Sequence, residues 1–231
     1  MEDVPGFTHL MRSFYAASLG QRSPRDILED VARHRALLDA VLAPVSPRPG
    51  RLVVDVGTGA GLLALAAGRR FPDVRVLGVD VAAEAIDRAR DAARDAGLAN
   101  VRFEEGFAEA LQVPDGAADT VCALAAFNLF PDKEGALREA RRALGAGGTL
   151  VIADAFRVDA DARASGTAVV PSGPGPLTTD AWRALLGRCG LEPIASHDVT
   201  DVRRALDASR AWLYPPLVDG FSFRVESARR D

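Results

Sequence analysis

Residues 51–61 read RLVVDVGTGAG, an apolar run that breaks into a series of alternating glycines. The uninterrupted run of Leu52, Val53 and Val54 is typical of a parallel strand that is covered on both faces. The glycines after it predict a tight turn, because glycine adopts positive φ and leaves no side chain in the way of a bound ligand. Residues 62–70 are then predicted to form a helix whose N-terminal amide groups face the turn.

The spacing of the glycines separates this turn from two common nucleotide-binding loops. A dinucleotide-binding loop follows the pattern G-x-G-x-x-G, but here Gly57 and Gly59 are followed by Gly61, and Leu62 stands at the position of the third glycine. A phosphate-binding P-loop is excluded as well, because no G-K-S/T follows. The remaining pattern is D-x-G-x-G-x-G, which begins at Asp55. Taken alone, it also fits a tight strand-to-helix turn that binds nothing.

Composition and charge exclude several classes of function. The net charge of -4 and the pI of about 5.5 argue against nucleic acid or an acidic membrane surface as a partner. No signal peptide or transmembrane stretch is visible, so we expect a cytoplasmic protein that does not bind membranes. Cys122 and Cys189 lack a C-x-x-C spacing, which favours a reducing compartment and predicts no metal site. Both a monomer and a homodimer fit the sequence.

Strand and helix signals alternate along most of the chain, which predicts right-handed βαβ crossovers and a doubly wound, Rossmann-like α/β fold with helices on both faces. We expect one domain over residues 1–231, made of an N-terminal helical cap (1–45), a core (50–155) and a C-terminal half (156–231). Seven strands are predicted, at residues 52–54, 74–79, 101–104, 120–125, 149–153, 192–200 and 220–226. Helices are predicted at residues 82–96, 133–144, 179–189 and 201–213, and a loop rich in glycine and proline at 165–176.

The first 45 residues predict two amphipathic helices. Residues 6–18 carry apolar side chains at helical spacing, and this segment is interpreted as a lid that closes over a pocket or as a permanently packed helix. Ser23 and Pro24 predict the start of a second helix that runs to about Ala43. His34 falls on the apolar face of that helix, where a core histidine is the better interpretation.

Further along, the chain resembles the class I S-adenosylmethionine-dependent methyltransferases of the small-molecule type, over about residues 52–226. The D-x-G-x-G-x-G pattern resembles motif I of that family, and Asp80 ends the second strand in LGVD. The resemblance implies that Asp80 accepts hydrogen bonds from both ribose hydroxyls of the cofactor, a task suited to the two oxygens of a carboxylate. Residues 105–121 and 125–154 resemble the family's loops and turns around the third, fourth and fifth strands.

What the resemblance implies about fold and cofactor is specific. The sheet is expected to have seven mostly parallel strands, with the last one antiparallel. The cofactor is expected to be S-adenosyl-L-methionine. Its binding residues are expected in the glycine turn, at the end of the second strand, in the loop after the third strand and in the fourth strand: Asp55, Gly57, Thr58, Gly59, Gly61, Asp80, Val81, Gly106, Phe107, Ala108 and Ala123.

Two positions depart from the family's pattern. Phe107 stands where the family commonly has an Asp that accepts from the adenine amino group, so stacking and backbone hydrogen bonds are expected there instead. Asn128 stands where many small-molecule members carry a His, which argues against a histidine-based mechanism at this position.

The acceptor side is predicted from position alone, because loops beyond the carboxyl ends of parallel strands line the crevice. The catalytic candidates are His9, Tyr15 and Asn128, and the candidates for binding a small-molecule acceptor are Phe14, Phe127 and Asp154. In-line methyl transfer gains much of its rate from positioning, and a general base is needed only for a poor nucleophile such as a hydroxyl. The sequence leaves open whether the product is an O-, N- or C-methyl compound. It also leaves open a cyclase-type enzyme that binds the cofactor without methyl transfer.

Overall fold

The computed structural model describes residues 9, 11–13, 22–158, 175–208, 217 and 219–231. Within that part of the chain, seven strands form one sheet in the order β3-β2-β1-β4-β5-β7-β6. All neighbouring pairs from β3 to β5 are parallel, whereas β7 is antiparallel to both β5 and β6. The prediction of a mostly parallel, seven-stranded sheet with an antiparallel last strand is confirmed. The strands are β1 Leu52–Val56, β2 Arg75–Asp80, β3 Val101–Glu105, β4 Ala118–Leu124, β5 Leu144–Arg157, β6 Leu191–Asp198 and β7 Phe221–Arg230.

Helices cover both faces of the sheet. They are α1 Pro24–Arg33, α2 Arg35–Leu42, α3 Leu62–Arg70, α4 Ala83–Asp95, α5 Lys133–Ala143, α6 Thr179–Arg188 and α7 Thr200–Ala208, with a short 3-10 turn at Phe127–Leu129. Consecutive residues of β1 point to opposite faces: Val53 packs in one hydrophobic cluster with α1 to α4, and Val54 packs in another with α5 and α6. Burial on both faces explains why the sequence of β1 is continuously apolar.

The predicted helix at residues 23–43 is two helices in the structure. The N-cap at Ser23 is as predicted, because its side chain accepts from the Asp26 N–H in a capping box. α1 ends at Arg33, since His34 has φ -88° and ψ 9° and its ring Nδ1 lies 2.7 Å from the Asp30 carbonyl. The ring shares that carbonyl with the backbone N–H of His34, so the regular helix is interrupted at this residue. His34 is buried, as its interpretation as a core residue requires.

β5 is longer than predicted. We expected a strand at residues 149–153 after a glycine-rich turn, but β5 runs from Leu144 to Arg157. Its first residue already pairs with Ala118, and the pairing with β4 shifts register before it resumes at Thr149. Residues 145–148, three of them glycines, therefore form an irregularity within the strand. β4 pairs with the strand before and after them, and β7 pairs with it from Thr149 onward.

The strand order reverses between β1 and β4, which lie side by side although β2 and β3 separate them in sequence. In open α/β sheets, ligands bind beyond the carboxyl ends of the strands at such a reversal. The glycine turn after β1 and the 3-10 turn after β4 both lie at this point. In the part of the chain that the structure describes, no helix is long and apolar enough to cross a membrane.

Some predicted features lie outside the described residues. They are Phe14 and Tyr15, most of the predicted helix at 6–18, most of the loop at 165–176, and the end of the helix predicted at 201–213.

Candidate functional site

The glycine turn after β1 is shaped by its neighbours. Gly57 has φ +71°, and a Cβ on it would lie 2.5 Å from the Cβ of Ala126. Gly61 has φ +89°, and a Cβ there would lie 2.8 Å from the ring of Phe103 and 3.1 Å from the Cβ of Ala89. Both positions thus require glycine for two reasons, backbone conformation and close packing. The turn can hold this shape only with glycine at these two positions.

Asp55 lies behind the turn and holds it together. Its Oδ2 accepts from the hydroxyl of Thr58 at 2.6 Å and from the N–H of Ala64 at 3.1 Å. Its Oδ1 is buried and has no hydrogen-bond partner among the described residues. Burial raises the pKa of Asp55 to about 7, and the negative charge of Asp80 acts in the same direction. The site therefore contains a carboxyl group that is costly to ionise unless a donor or a positive charge comes near.

Asp80 lies at the end of β2, one strand away from the turn. Its Oδ2 accepts from the N–H of Gly59 at 2.8 Å, and its Oδ1 accepts from the N–H of Ala82 at 3.0 Å. Each oxygen retains acceptor capacity for a ligand. Burial raises the pKa of Asp80 to about 6, although these backbone hydrogen bonds oppose the shift. Ionised at neutral pH, Asp80 is a fixed anion with free acceptor sites.

An open cleft lies above these residues, and the space between its walls, counted out into open solvent, is about 480 Å³. Five predicted cofactor residues line it: Gly57, Asp80, Val81, Gly106 and Ala108. The other six lie outside its described lining: Asp55, Thr58, Gly59, Gly61, Phe107 and Ala123. Ala123 lines a smaller apolar cavity of about 270 Å³ instead, together with Phe127.

Other cleft residues were not among the predicted site residues. Met11, Glu109, Leu129, Phe130 and Pro131 also line the cleft. Its described lining contains two carboxyl groups and no Lys or Arg, so the cleft suits a neutral or cationic ligand. A cofactor that carries a sulfonium and an ammonium group fits this charge distribution.

The loop after β3 runs beside Asp80, whose carbonyl accepts from the N–H of Gly106 at 2.9 Å. Phe107 is half-buried, and its backbone forms an isolated antiparallel β-bridge with Ala110. Glu109 is half-buried as well, and burial raises the pKa of its carboxyl group. The sequence could have indicated Glu109 as a site residue, because it is a carboxylate two positions after Phe107 in the same loop.

Asn128 and Asp154 are held together beyond the ends of β4 and β5. The Nδ2 group of Asn128 donates to Asp154 Oδ1 at 2.7 Å and to the carbonyl of Ala155 at 2.8 Å. The backbone N–H of Asn128 donates to Asp154 Oδ2 at 3.0 Å. Both amide hydrogens of the side chain are thus in use, so toward a ligand Asn128 can act only as an acceptor through Oδ1. Asn128 is half-buried and Asp154 is buried, and both lie outside the described lining of the cleft.

Lys133 completes this network although it is only 5% exposed. Its Nζ donates to the carbonyl of Asn128 at 3.0 Å and lies 5.5 Å from the centre of the Phe127 ring. Burial lowers the pKa of Lys133 to about 8, and the charge of Asp154 partly offsets that effect. The 3-10 turn that carries Phe127 and Asn128 is therefore fixed by a buried cation and a buried carboxyl group.

The described residues of the N-terminal segment, 9 and 11–13, are helical, and one of them borders the cleft. Met11 is 6% exposed and lines the cleft, while Arg12 makes an ion pair of 2.6 Å with Glu105 at the end of β3. His9 is exposed and lies outside the described lining. Among the described residues of the segment, Met11 therefore contributes an apolar wall to the cleft, and the role of His9 stays a prediction. Within the described residues, no cluster of three or more His, Cys, Asp or Glu could hold a metal ion.

Comparison with known proteins gives a consistent result. The family model described as "Methyltransferase domain" matches residues 48–173. The 27-O-demethylrifamycin SV methyltransferase of Amycolatopsis mediterranei is 32% identical over 199 residues, 84% of this chain and 73% of that protein. This chain spans only 38% to 54% of the next three curated relatives.

Two solved structures share the fold. The geranyl diphosphate C-methyltransferase of Streptomyces coelicolor has a TM-score of 0.76 and 16% identity, with all of both chains covered. The cyclase SpnF has a TM-score of 0.71 and 24% identity, with 84% of this chain and 80% of SpnF covered.

Proposed function

Because this chain belongs to the methyltransferase domain family, we propose that it transfers a methyl group to a small-molecule acceptor. The cofactor is S-adenosylmethionine, which supplies a methyl group on a positively charged sulfur for in-line displacement by the acceptor. We further propose that residues 1–231 form a single domain, which is supported by the one sheet that both hydrophobic clusters share.

One observation carries the assignment of the site. Asp80 lines the cleft and is bonded directly to the glycine turn through the N–H of Gly59. A vicinal diol has two donors that match the free acceptor sites of this carboxylate. The two buried carboxyl groups of Asp55 and Asp80, with no basic side chain in the described lining, favour a cationic ligand. Ribose and the sulfonium head of the cofactor are therefore assigned to this part of the cleft.

The acceptor side is assigned to the 3-10 turn after β4. Its apolar residues Leu129 and Phe130 line the cleft, and Met11 covers it from the N-terminal segment. Asn128 can accept a hydrogen bond from a hydroxyl or an amine through Oδ1, since its amide hydrogens are already bonded. We propose a largely apolar acceptor that Asn128 orients toward the methyl group. Phe127 and Asp154 act behind it as packing and positioning residues.

The relative from Amycolatopsis mediterranei indicates which acceptors to assay first. Its name describes methylation of an oxygen on a rifamycin. We propose a hydroxyl of a natural product as the first acceptor class for this chain.

A second candidate function keeps the cofactor but transfers no methyl group. SpnF shows that this fold also accommodates a cyclase. In this chain, the described lining of the cleft contains no histidine, and its carboxyl groups are Asp80 and Glu109. A reaction that depends on enclosing and orienting an apolar substrate needs no more than such a lining.

Release of S-adenosylhomocysteine distinguishes the two functions. The purified protein is incubated with S-adenosylmethionine and a panel of polyketide hydroxyl compounds, and both the homocysteine product and the acceptor are followed by mass spectrometry. Methyl transfer predicts equal amounts of S-adenosylhomocysteine and of a product 14 mass units heavier than the acceptor (CH₂). An isomerised product of unchanged mass, with intact S-adenosylmethionine, would identify the cyclase function instead.

The variant Asn128→Ala tests the acceptor side. It removes the orienting acceptor atom and the bonds to Asp154, so we expect product formation to fall by about ten- to a hundredfold while cofactor affinity changes less than threefold. Asn100→Ala is the matched control, because Asn100 donates to the backbone carbonyls of Gly68, Phe71 and Val74, and none of these residues is in the described lining of the cleft. Unchanged turnover in Asn128→Ala would remove this residue from the acceptor site.

A further inference from the structure

Glu109 is a carboxylate in the cleft whose hydrogen-bonding capacity is largely unused. It lines the cleft and is half-buried. Its one hydrogen bond from another described residue is long, 3.4 Å from the N–H of Asp132, and within the described chain it makes no ion pair. Burial raises the pKa of Glu109, and the charge of Asp132 acts in the same direction. A partly desolvated carboxylate in this condition gains from a donor supplied by a ligand.

Glu109 and Asp80 line the same cleft and lie on connected parts of the chain. The loop after β3 begins at Gly106, which is bonded to the Asp80 carbonyl, and Glu109 follows three residues later. The other described side chains that line this cleft are apolar, among them Val81, Ala108 and Leu129. With the ribose on Asp80, the attached base would meet these apolar side chains, and Glu109 is the remaining polar side chain in the described lining.

The chemistry of the base selects its partner. Adenine carries an amino group at its six position, which donates hydrogen bonds, whereas hypoxanthine carries an oxo group there, which only accepts. Phe107, in the same loop, has no side-chain group that bonds to either. A carboxylate accepts and does not donate, so it attracts the amino group and repels the oxo group.

We propose that Glu109 is the specificity-determining acceptor for the adenine amino group of the cofactor. This inference rests on the proposed function only for the presence of the nucleoside in the cleft. Methyl transfer itself is not needed for it. Glu109 thereby sets which base the cleft accepts, while Asp80 holds the sugar.

The competing explanation is structural, since Glu109 also accepts from the N–H of Asp132 at the start of α5. If that were its whole role, a substitution would change affinity for every nucleoside ligand by the same factor. Base recognition instead changes the ratio between an amino and an oxo base. The ratio is therefore the informative quantity.

The test measures binding of S-adenosylhomocysteine and of S-inosylhomocysteine by calorimetry at pH 8. For the wild-type protein we expect S-adenosylhomocysteine to bind about ten- to a hundredfold more tightly. In Glu109→Gln, the ratio should fall by about tenfold, because a carboxamide can turn its NH₂ group toward the oxo base and still accept from Asp132. Glu109→Met, which can do neither, should also lose the discrimination. Glu104→Gln is the matched control, an exposed glutamate on β3 whose change should leave the ratio unaltered.

Three results would overturn the proposal. They are a wild-type ratio near one, a Glu109→Gln ratio equal to that of the wild type, or equal loss of affinity for both compounds in Glu109→Gln. Thermal unfolding checks that each variant is folded. Failure of methyl transfer in the acceptor assay leaves the ratio intact, so the two proposals fail independently. If neither compound binds the wild-type protein, the nucleoside site itself is refuted and Glu109 with it.

Discussion

Asp80 accepts a 2.8 Å hydrogen bond from the backbone N–H of Gly59, so the carboxylate at the end of β2 is joined directly to the glycine turn after β1. The two residues are 21 positions apart, and their strands are paired in parallel. The turn and the carboxylate therefore form one unit. A substitution at Asp80 removes the carboxylate that we propose binds the ribose and also the hydrogen bond that anchors the turn.

The first prediction concerns Asp80 itself. Asp80→Ala should weaken S-adenosylmethionine binding by about 1.5–3 kcal/mol, which is about ten- to a hundredfold, because two charge-assisted hydrogen bonds to the ribose are lost. Calorimetry measures the effect. Asp95→Ala, at an exposed position at the end of α4, serves as the control. Affinity that stays the same in Asp80→Ala would remove this residue from the site.

The second prediction concerns pH. Burial raises the pKa of Asp55 to about 7 and that of Asp80 to about 6, both above the ordinary value of 3.8. Groups of this kind contribute stability that is complete below pH 3.8 and is lost as the pH rises through 6 and 7. We expect the free energy of unfolding of the cofactor-free protein to fall by about 1–3 kcal/mol per group between pH 5 and pH 8.

Urea unfolding of the wild-type protein and of Asp80→Asn at both pH values measures this effect. The variant should show a shallower pH dependence, because one titrating group is gone. His34 acts in the opposite direction, since burial lowers its pKa. The comparison with the variant is therefore more informative than the wild-type curve alone. Identical pH dependence in the two proteins would contradict the prediction.

The third prediction concerns the contact between the two turns that border the cleft. A Cβ on Gly57 would lie 2.5 Å from Ala126 Cβ, and the φ of +71° is unfavourable for alanine. Gly57→Ala should therefore destabilise the fold by about 2–4 kcal/mol. Adding Ala126→Gly should recover about 1–2 kcal/mol of that loss, because it removes the overlap but not the backbone strain. Strict additivity in this double-mutant cycle would show that the turns do not press on each other.

The fourth prediction concerns the ion pair between Arg12 and Glu105. Both side chains are about half exposed, at 42% and 50%, so Arg12→Ala should change stability by less than about 1 kcal/mol. Dissociation of S-adenosylmethionine should nevertheless become several-fold faster in stopped-flow measurements, because the pair fastens the segment that covers the cleft. Arg25→Ala removes a comparable exposed pair with Glu29 far from the cleft and should leave the rate unchanged.

The fifth prediction concerns deletion of residues 1–18. If this segment is a lid, product formation should collapse and cofactor affinity should fall modestly, while the thermal transition moves little. Met11 is the described residue that the cleft would lose. A large loss of thermal stability would instead make the segment part of the core.

Much of the fold could be predicted because its signals are local. The apolar run at Leu52–Val54, the glycines that follow and the cap at Ser23 each depend on residues within a few positions, and the corresponding strand, turn and helix start are present. The ends of strands and helices are harder to predict from the sequence. β5 extends beyond its prediction because β4 and β7 supply distant partners, and the helix break at His34 depends on one side chain that competes for a carbonyl.

A site residue could be predicted only where its type and its place in the local sequence both indicate its chemistry. Asp80 follows an apolar strand, and its position is visible in the sequence. Lys133 looks like an ordinary surface residue at a helix start, yet its burial depends on the carbonyl of Asn128 and on Asp154, which is 21 residues further along. The walls contributed by Met11 and Phe130 depend on tertiary packing and leave no comparable signal.

The position of β7 affects the order in which the sheet can be completed during folding. β7 is made after β6 but lies between β5 and β6 in the sheet. Until β7 has paired, the parallel part of the sheet has an open edge at β5. Over the same interval β6 has no strand beside it. Open strand edges pair readily with other chains, so the interval before β7 takes its place is when the chain is most prone to aggregation.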